Sequence, residues 1–165
     1  MLYVVTGPPA SGKSTWVRAH AKPGDIVVDY DLMAGALSGP HQADPYDHPE
    51  PLRSVTFKAR TAAIREALRH VATVDIYIIH SMPSKEWMAT YAEHSAEIVV
   101  VDPGRDVVMR RIADERPPAA RSVATRWYNQ ADKGMWGVPQ GRTSQGGAHP
   151  RHPQCTPPPT TSRQW

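Results

Sequence analysis

The sequence predicts one α/β domain built on a doubly wound, mostly parallel sheet of four to five strands. Short apolar runs alternate with helical patterns along most of the chain, as they do in βαβ units. The runs are continuously apolar, which is typical of strands buried on both faces of a parallel sheet. The length of 165 residues suits one such domain and leaves little for a second.

Four apolar runs are the predicted strands. The first is Leu2–Thr6, and the runs IVVD, IYIIH and IVVVD lie within residues 25–29, 74–80 and 97–102.

No apolar run approaches the roughly 18 residues that cross a bilayer, so we expect no membrane association. The single cysteine, Cys155, cannot form an intrachain disulfide, which fits a cytoplasmic location.

Helical patterns separate and follow these strands. They cover residues 13–21, 52–71, 84–94, 106–115 and 119–130. In the longest, the predicted buried stripe has spacings of three and four and consists of Leu52, Val55, Ala59, Ala63, Ala67 and Val71. Pro117 and Pro118 separate the last two helices because proline cannot continue a helix interior.

Charge and composition divide the chain near residue 133. All 16 acidic residues and 16 of the 19 basic ones lie in residues 1–133, the predicted folded domain. Residues 134–165 hold six of the 17 prolines, several glycines, three arginines and few aliphatic residues, and we expect a disordered basic tail there. A neutral folded body argues against a protein that binds nucleic acid over its whole surface.

The strongest motif is GPPASGKST at residues 7–15, which matches G-x-x-x-x-G-K-[ST] between an apolar strand and a helix. In such a loop, glycines let backbone N–H groups surround a phosphate, and the helix N-terminus faces the same anion. Lysine reaches the β- and γ-phosphates and the Ser hydroxyl binds Mg²⁺. We therefore predict ATP and Mg²⁺ as cofactors. The predicted contacts are Gly7, Ser11, Gly12, Lys13, Ser14 (also the Mg²⁺ ligand) and Thr15.

Two carboxylates, Asp29 and Asp31, follow the second predicted strand. Ligands of open parallel sheets bind beyond the carboxyl ends of the strands, so we expect these groups near the γ-phosphate. One would accept a proton from an acceptor hydroxyl while the other orients metal-bound water. The alternative is that one of them only caps a short helix that begins near Leu32.

Polar residues also follow the third and fourth strands. His80 is either a ligand of the acceptor or of Mg²⁺-bound water, or a structural residue, which is the more common case. Asp102 is either a Walker B carboxylate or the cap of the following helix.

Arginines are concentrated in residues 104–131, which we interpret as a helical lid. They are Arg105, Arg110, Arg111, Arg116, Arg121 and Arg126. Arginines in a lid neutralise charge on a transferred phosphoryl group. Arg116 and Arg121, beside the proline break, are the first candidates, and Arg110 and Arg126 follow. The alternative is an ordinary exposed helix pair, on which Arg110 pairs with Asp114.

The chain resembles the small P-loop kinases of the polynucleotide-kinase type, including those of bacteriophages. The resemblance covers about residues 1–131 and depends on GPPASGKSTWVR, the VDYD turn, the VDPG junction and the run ending in RWY. It implies a nucleotide-kinase-like fold, with Asp31 as the general base on a 5′-hydroxyl and Arg110 and Arg116 as lid arginines. Two positions depart from the family: Ala34 replaces an arginine, and His80-Ser81 replaces a carboxylate.

These observations predict a P-loop kinase that moves the γ-phosphate of ATP to a hydroxyl group, on a polynucleotide 5′-end or a nucleotide. The predicted catalytic residues are Lys13, Asp31, Arg116 and Arg110; Arg121 contacts the nucleotide, and Asp29 contacts Mg²⁺ through water. The alternative is a non-kinase P-loop ATPase or a nucleotide-gated accessory protein in phage DNA handling, which would not need Asp31. If the protein is phage-encoded, the cytoplasm is that of the host.

Overall fold

The computed structural model describes residues 1–40 and 46–133. It contains one sheet of four parallel strands: β1 (Leu2–Thr6), β2 (Ile26–Val28), β3 (Ile76–Ile79) and β4 (Glu97–Val100). Their order is β2-β3-β1-β4, so β3 lies between the first two strands of the chain. The predicted α/β class and the four predicted strands are confirmed, and the described residues contain no fifth strand.

Five helices of the described residues lie at nearly the predicted positions, and a short helix after β2 is expected only in the capping alternative for Asp29 and Asp31. The helices are α1 (Lys13–His20), α2 (Tyr30–Leu37), α3 (Glu50–Ala67), α4 (Lys85–Glu93), α5 (Arg105–Glu115) and α6 (Ala119–Ala131). A single 3₁₀ turn, Leu68–His70, extends α3. The break between α5 and α6 is at the two prolines, as predicted.

The two faces of the sheet are covered by different helices, because alternate strand residues point to opposite faces. Val5 and Tyr77 pack with Val17 of α1 on one face. On the other face, Val4 packs with residues of α3 and α4, including Ile64 of α3. A separate cluster of side chains, including Trp127, joins α5 to α6. This packing leaves the carboxyl ends of the strands open for the loops that follow them.

The predicted buried stripe of the long helix is only partly correct, since Ala67 is buried as predicted but the face as a whole is rotated. Val55 is 54 % exposed, and the buried residues are Thr56, Arg60, Ile64 and Ala67. Three of the six residues of the predicted stripe are alanines, which bury little area and do not fix the rotation of the helix. The true stripe contains a threonine and an arginine, which the pattern of apolar residues does not detect.

Two expectations concern the ends and the surroundings of this domain. The predicted tail, residues 134–165, lies outside the described residues. In residues 1–40 and 46–133, no helix combines the length and apolar character needed to cross a membrane.

Candidate active site

Residues 7–12 form a loop that joins β1 to α1, and its two glycine positions require glycine for different reasons. Gly7 has a φ of 147°, and a Cβ there would collide with the carbonyl oxygen of Val101. Gly12 has a φ of 101° and is the N-cap of α1. No acidic residue lies in the first turn of α1, so its free N–H groups keep their preference for an anion.

The lysine of this loop is buried. Lys13 Nζ donates hydrogen bonds to the carbonyl oxygens of Gly7 (3.1 Å) and Pro8 (2.6 Å). Burial, together with the nearby charge of Arg116, lowers its pKa to about 8, although the charges of Asp31 and Asp29 partly oppose the shift. Ser11 Oγ is also buried and has no hydrogen-bond partner among the described residues. A cation and an unpaired hydroxyl inside a loop of backbone N–H groups suit a bound phosphate.

Asp29 connects the loop to the end of β2. Its Oδ2 accepts a hydrogen bond of 2.8 Å from Ser14 Oγ, and its Oδ1 accepts one of 3.0 Å from the backbone N–H of Asp31. Asp29 is thus the N-cap of α2, as the capping alternative predicted, and it also contacts the loop serine. A serine hydroxyl and a carboxylate are the hard oxygen donors that Mg²⁺ prefers, so these two residues fit that ion.

Asp31 lies one helical position inside α2 and is more accessible. Its side chain is 42 % exposed, and its Oδ2 lies 3.5 Å from Arg116 Nη1. Desolvation raises the pKa of Asp31, and the neighbouring charge of Asp29 raises it further, while Arg116 partly opposes both effects. Asp31 is therefore a carboxylate with increased basicity beside the phosphate loop.

Arg116 is the C-cap of α5, at the proline break, and reaches across to the β2 side of the site. Its guanidinium carbon lies 3.3 Å from the centroid of the Tyr46 ring, which is a stacked cation–π contact. Its Nε is buried without a hydrogen-bond partner in the described part of the chain. The predicted lid residue Arg116 is thus next to the predicted base Asp31.

Other arginines of residues 104–131 have different positions. Arg111 Nη1 donates a hydrogen bond of 3.2 Å to the carbonyl oxygen of Ala10, which has the left-handed φ of 58° at the top of the loop. Arg110 and Arg121 are exposed. Arg121 lines a cavity of about 220 Å³ together with Arg116. Of this group, the structure brings Arg116 to Asp31 and Arg111 to the loop. Within residues 1–40 and 46–133, no hydrogen bond joins Arg110 to Asp31 or to the loop.

A family model described as an AAA domain matches residues 2–131, from β1 to the end of α6. The chain belongs to the AAA domain family. This AAA domain is a P-loop nucleotide-binding, kinase-like domain, because the match includes the phosphate loop, both aspartates and the arginine-rich helices. No curated protein gives a significant match to the chain.

Two of the polar residues at the strand ends of the AAA domain have structural partners. His80 Nδ1 shares a hydrogen bond of 2.9 Å with Tyr91 Oη, and the ring also lies edge-on to Trp87. Burial, together with the charge of Arg60, lowers the pKa of His80 to about 3, so His80 is neutral near pH 7.

Asp102 joins the start of α5 to α6. Its Oδ1 accepts hydrogen bonds from the backbone N–H of Gly104 (3.0 Å) and from Tyr128 Oη (2.8 Å). Of the two alternatives for Asp102, these bonds favour the structural one at the helix start.

Sequence reasoning missed Tyr46 and Arg111 as site residues of the AAA domain. Tyr46 lies in the proline-rich segment 38–51, which has no periodicity to indicate its position. Arg111 was visible as one of two adjacent arginines, but adjacent helix positions point about 100° apart. The sequence does not say which of the two faces the loop.

Proposed function

We propose that this AAA domain is a kinase that moves the γ-phosphate of ATP to a hydroxyl acceptor, on a polynucleotide 5′-end or a nucleotide. The observation that carries the proposal is the position of Asp31. Its carboxylate is accessible and has a raised pKa, and it lies beside the phosphate loop and 3.5 Å from Arg116. An ATPase that transfers phosphate only to water does not need a carboxylate for an acceptor hydroxyl on the β2 side.

The donor side of the proposed reaction is formed by the phosphate loop. Lys13 and the loop N–H groups would hold the β- and γ-phosphates, with Ser11 and Thr15 completing the contacts. Ser14 would bind Mg²⁺ directly and Asp29 through water. Bound Mg²⁺ supplies positive charge that stabilises the transferred phosphoryl group.

The acceptor side is formed by Asp31 and the arginines. Asp31 would accept the proton of the attacking hydroxyl, and the raised pKa makes its carboxylate a stronger base. Arg116 would stabilise negative charge on the phosphoryl group in transfer. Arg121 is proposed to contact the nucleotide from the cavity that it shares with Arg116, and Arg110 to assist from the neighbouring turn of α5.

The nature of the acceptor is inferred from the resemblance to kinases of the polynucleotide-kinase type. Its test is incubation of the protein with γ-labelled ATP, Mg²⁺ and a panel of 5′-hydroxyl oligonucleotides, nucleosides and nucleotides. We expect label in at least one acceptor of this panel. Label found only in inorganic phosphate, with every acceptor unlabelled, would favour the non-kinase ATPase instead.

A further inference from the structure

One basic side chain of helix α3 is buried. All residues of this helix are described by the structure. Arg60 is 7 % exposed, whereas Arg53, Lys58 and Arg65 are exposed. Arg60 Nη2 donates a hydrogen bond of 2.7 Å to the carbonyl oxygen of Ile79, the last residue of β3. A cation is thus held at the carboxyl end of a central strand.

Among the residues that the structure describes, no carboxylate is the counter-ion of this buried cation. No carboxylate of the described residues forms a salt bridge with Arg60, and its Nε has no hydrogen-bond partner among them. One helical turn earlier on the same buried face, Thr56 Oγ1 is also without a partner in that part of the chain, and Thr56 is 0 % exposed. Buried arginines are normally paired, and buried donors are normally hydrogen-bonded. Two unpaired groups one turn apart therefore indicate a missing oxygen-rich partner.

The sheet order places this pair on the acceptor side of the candidate active site. Strand β3 lies between β1, which leads into the phosphate loop, and β2, which leads to Asp29 and Asp31. Arg60 is bonded to the last residue of β3 and Asp29 follows the adjacent strand β2, so both lie at the carboxyl ends of neighbouring strands. Arg111 and Arg116 approach the site from α5, which follows β4 at the opposite edge of the sheet.

We propose that Arg60 and Thr56 form a subsite for an oxyanion, a phosphate ester or a carboxylate, that the acceptor carries in addition to the hydroxyl group that is phosphorylated. The guanidinium fork of an arginine binds either oxyanion through two parallel hydrogen bonds. The inference builds on the kinase function proposed above and assigns to Arg60 and Thr56 the binding of the phosphate ester that a nucleotide or polynucleotide acceptor already carries. It also explains how a domain with no net charge selects such a substrate, since the charge is local and buried.

The kinetic test compares Arg60→Met with Arg65→Met, which removes an exposed arginine of the same helix. Each variant is assayed with matched pairs of acceptors that differ only in an added phosphate ester or carboxylate. For Arg60→Met we expect KM to rise about 10- to 100-fold with the anionic acceptors and less than about twofold with the uncharged ones. A hydrogen bond to a charged group contributes about 10- to 100-fold to affinity. Arg65→Met should match the unmodified protein. Equal losses on both members of a pair, or no loss, would overturn the subsite.

A binding test separates this proposal from the kinase function itself. Trp87 stacks on Tyr91 at a centroid distance of 5.6 Å and lies edge-on to His80, so its fluorescence should report events at the end of β3. Inorganic phosphate is titrated into Lys13→Ala protein, which lacks the loop lysine, with Trp87→Phe identifying the signal. We expect a change that Arg60→Met removes and Arg65→Met retains.

The outcomes of the two tests are distinguishable. A signal that depends on Arg60, without transfer to any acceptor, would support the subsite and contradict the kinase. Transfer to acceptors without such a signal and without the KM effect would contradict the subsite and leave the kinase. If circular dichroism shows that Arg60→Met does not fold, the isosteric Thr56→Val replaces it, and we expect phosphate binding to weaken severalfold. Unchanged binding in that variant would also overturn the proposal.

Discussion

Replacing Asp31 by asparagine removes a carboxylate without changing its shape, and the structure predicts a large loss of activity with little change in stability. A positioned general base contributes roughly 10²- to 10⁴-fold to a rate, so we expect kcat for transfer to fall by about that factor. The affinity for ATP should change little, because Lys13 and the loop N–H groups hold the phosphates. Quenched-flow transfer of γ-label measures the first quantity, and equilibrium binding of ATP measures the second.

The expected effect on stability follows from the direction of the pKa shift. Because desolvation and Asp29 raise the pKa of Asp31, folding disfavours its charged form, and the neutral asparagine avoids that cost at pH 7. The lost ion pair with Arg116 has side chains 21 % and 42 % exposed, and pairs of this kind contribute about 0.2–1 kcal/mol. The two effects oppose each other, so the free energy of unfolding should change by less than about 1 kcal/mol.

Asp75 provides the matched control for this experiment. It also forms an ion pair, with the terminal amine of Met1 at 2.7 Å, and its side chain is 34 % exposed. It precedes β3 and therefore lies at the amino ends of the parallel strands, whereas the phosphate loop follows the carboxyl end of β1. Asp75→Asn should leave kcat unchanged. If transfer by Asp31→Asn stays within about tenfold of the unmodified protein, general-base catalysis by Asp31 is refuted.

Three further predictions concern other parts of the site. Lys13→Ala should abolish ATP turnover while Lys22→Ala, on the exposed turn after α1, retains it; full activity of Lys13→Ala would refute the phosphate-loop assignment. Arg111→Met should weaken ATP binding about tenfold because a charged hydrogen bond to the top of the loop is lost, whereas Arg110→Met should leave the affinity unchanged. Titration of both variants with ATP measures this, and an equal loss of affinity in the two would contradict the different positions of the two arginines. The lowered pKa of His80 means that its contribution to stability is present above pH 6.5 and is lost as pH falls towards 3. Between pH 7.5 and 5.5 the unfolding free energy should therefore drop about 1 kcal/mol more than in His80→Gln, and parallel denaturation curves for the two proteins would contradict this.

The parts of the site that the sequence predicts correctly are local in the chain. The glycines and lysine of the phosphate loop are required by backbone geometry within a few residues of β1. The carboxylates Asp29 and Asp31 follow a strand directly, so the sheet fixes which edge they occupy. These features need no knowledge of how distant helices pack.

The parts that the sequence does not predict depend on helix rotation and on contacts between distant segments. The buried face of α3 contains Arg60. Because arginine is polar, a pattern of apolar residues does not identify this position as buried. The contact of Arg116 with Asp31 joins residues 85 positions apart. The stacking of Tyr46 on Arg116 depends on how the segment after α2 is arranged, which its prolines do not specify.

The central claim is that phosphate leaves ATP for a hydroxyl acceptor held near Asp31, and the ratio of products tests it most directly. With a saturating acceptor from the panel, ADP and the phosphorylated acceptor are measured together over a single time course. The account predicts one phosphorylated acceptor for each ADP formed, with free phosphate as a minor product. ADP formation matched by free phosphate, at a rate that the acceptor does not change, would contradict it.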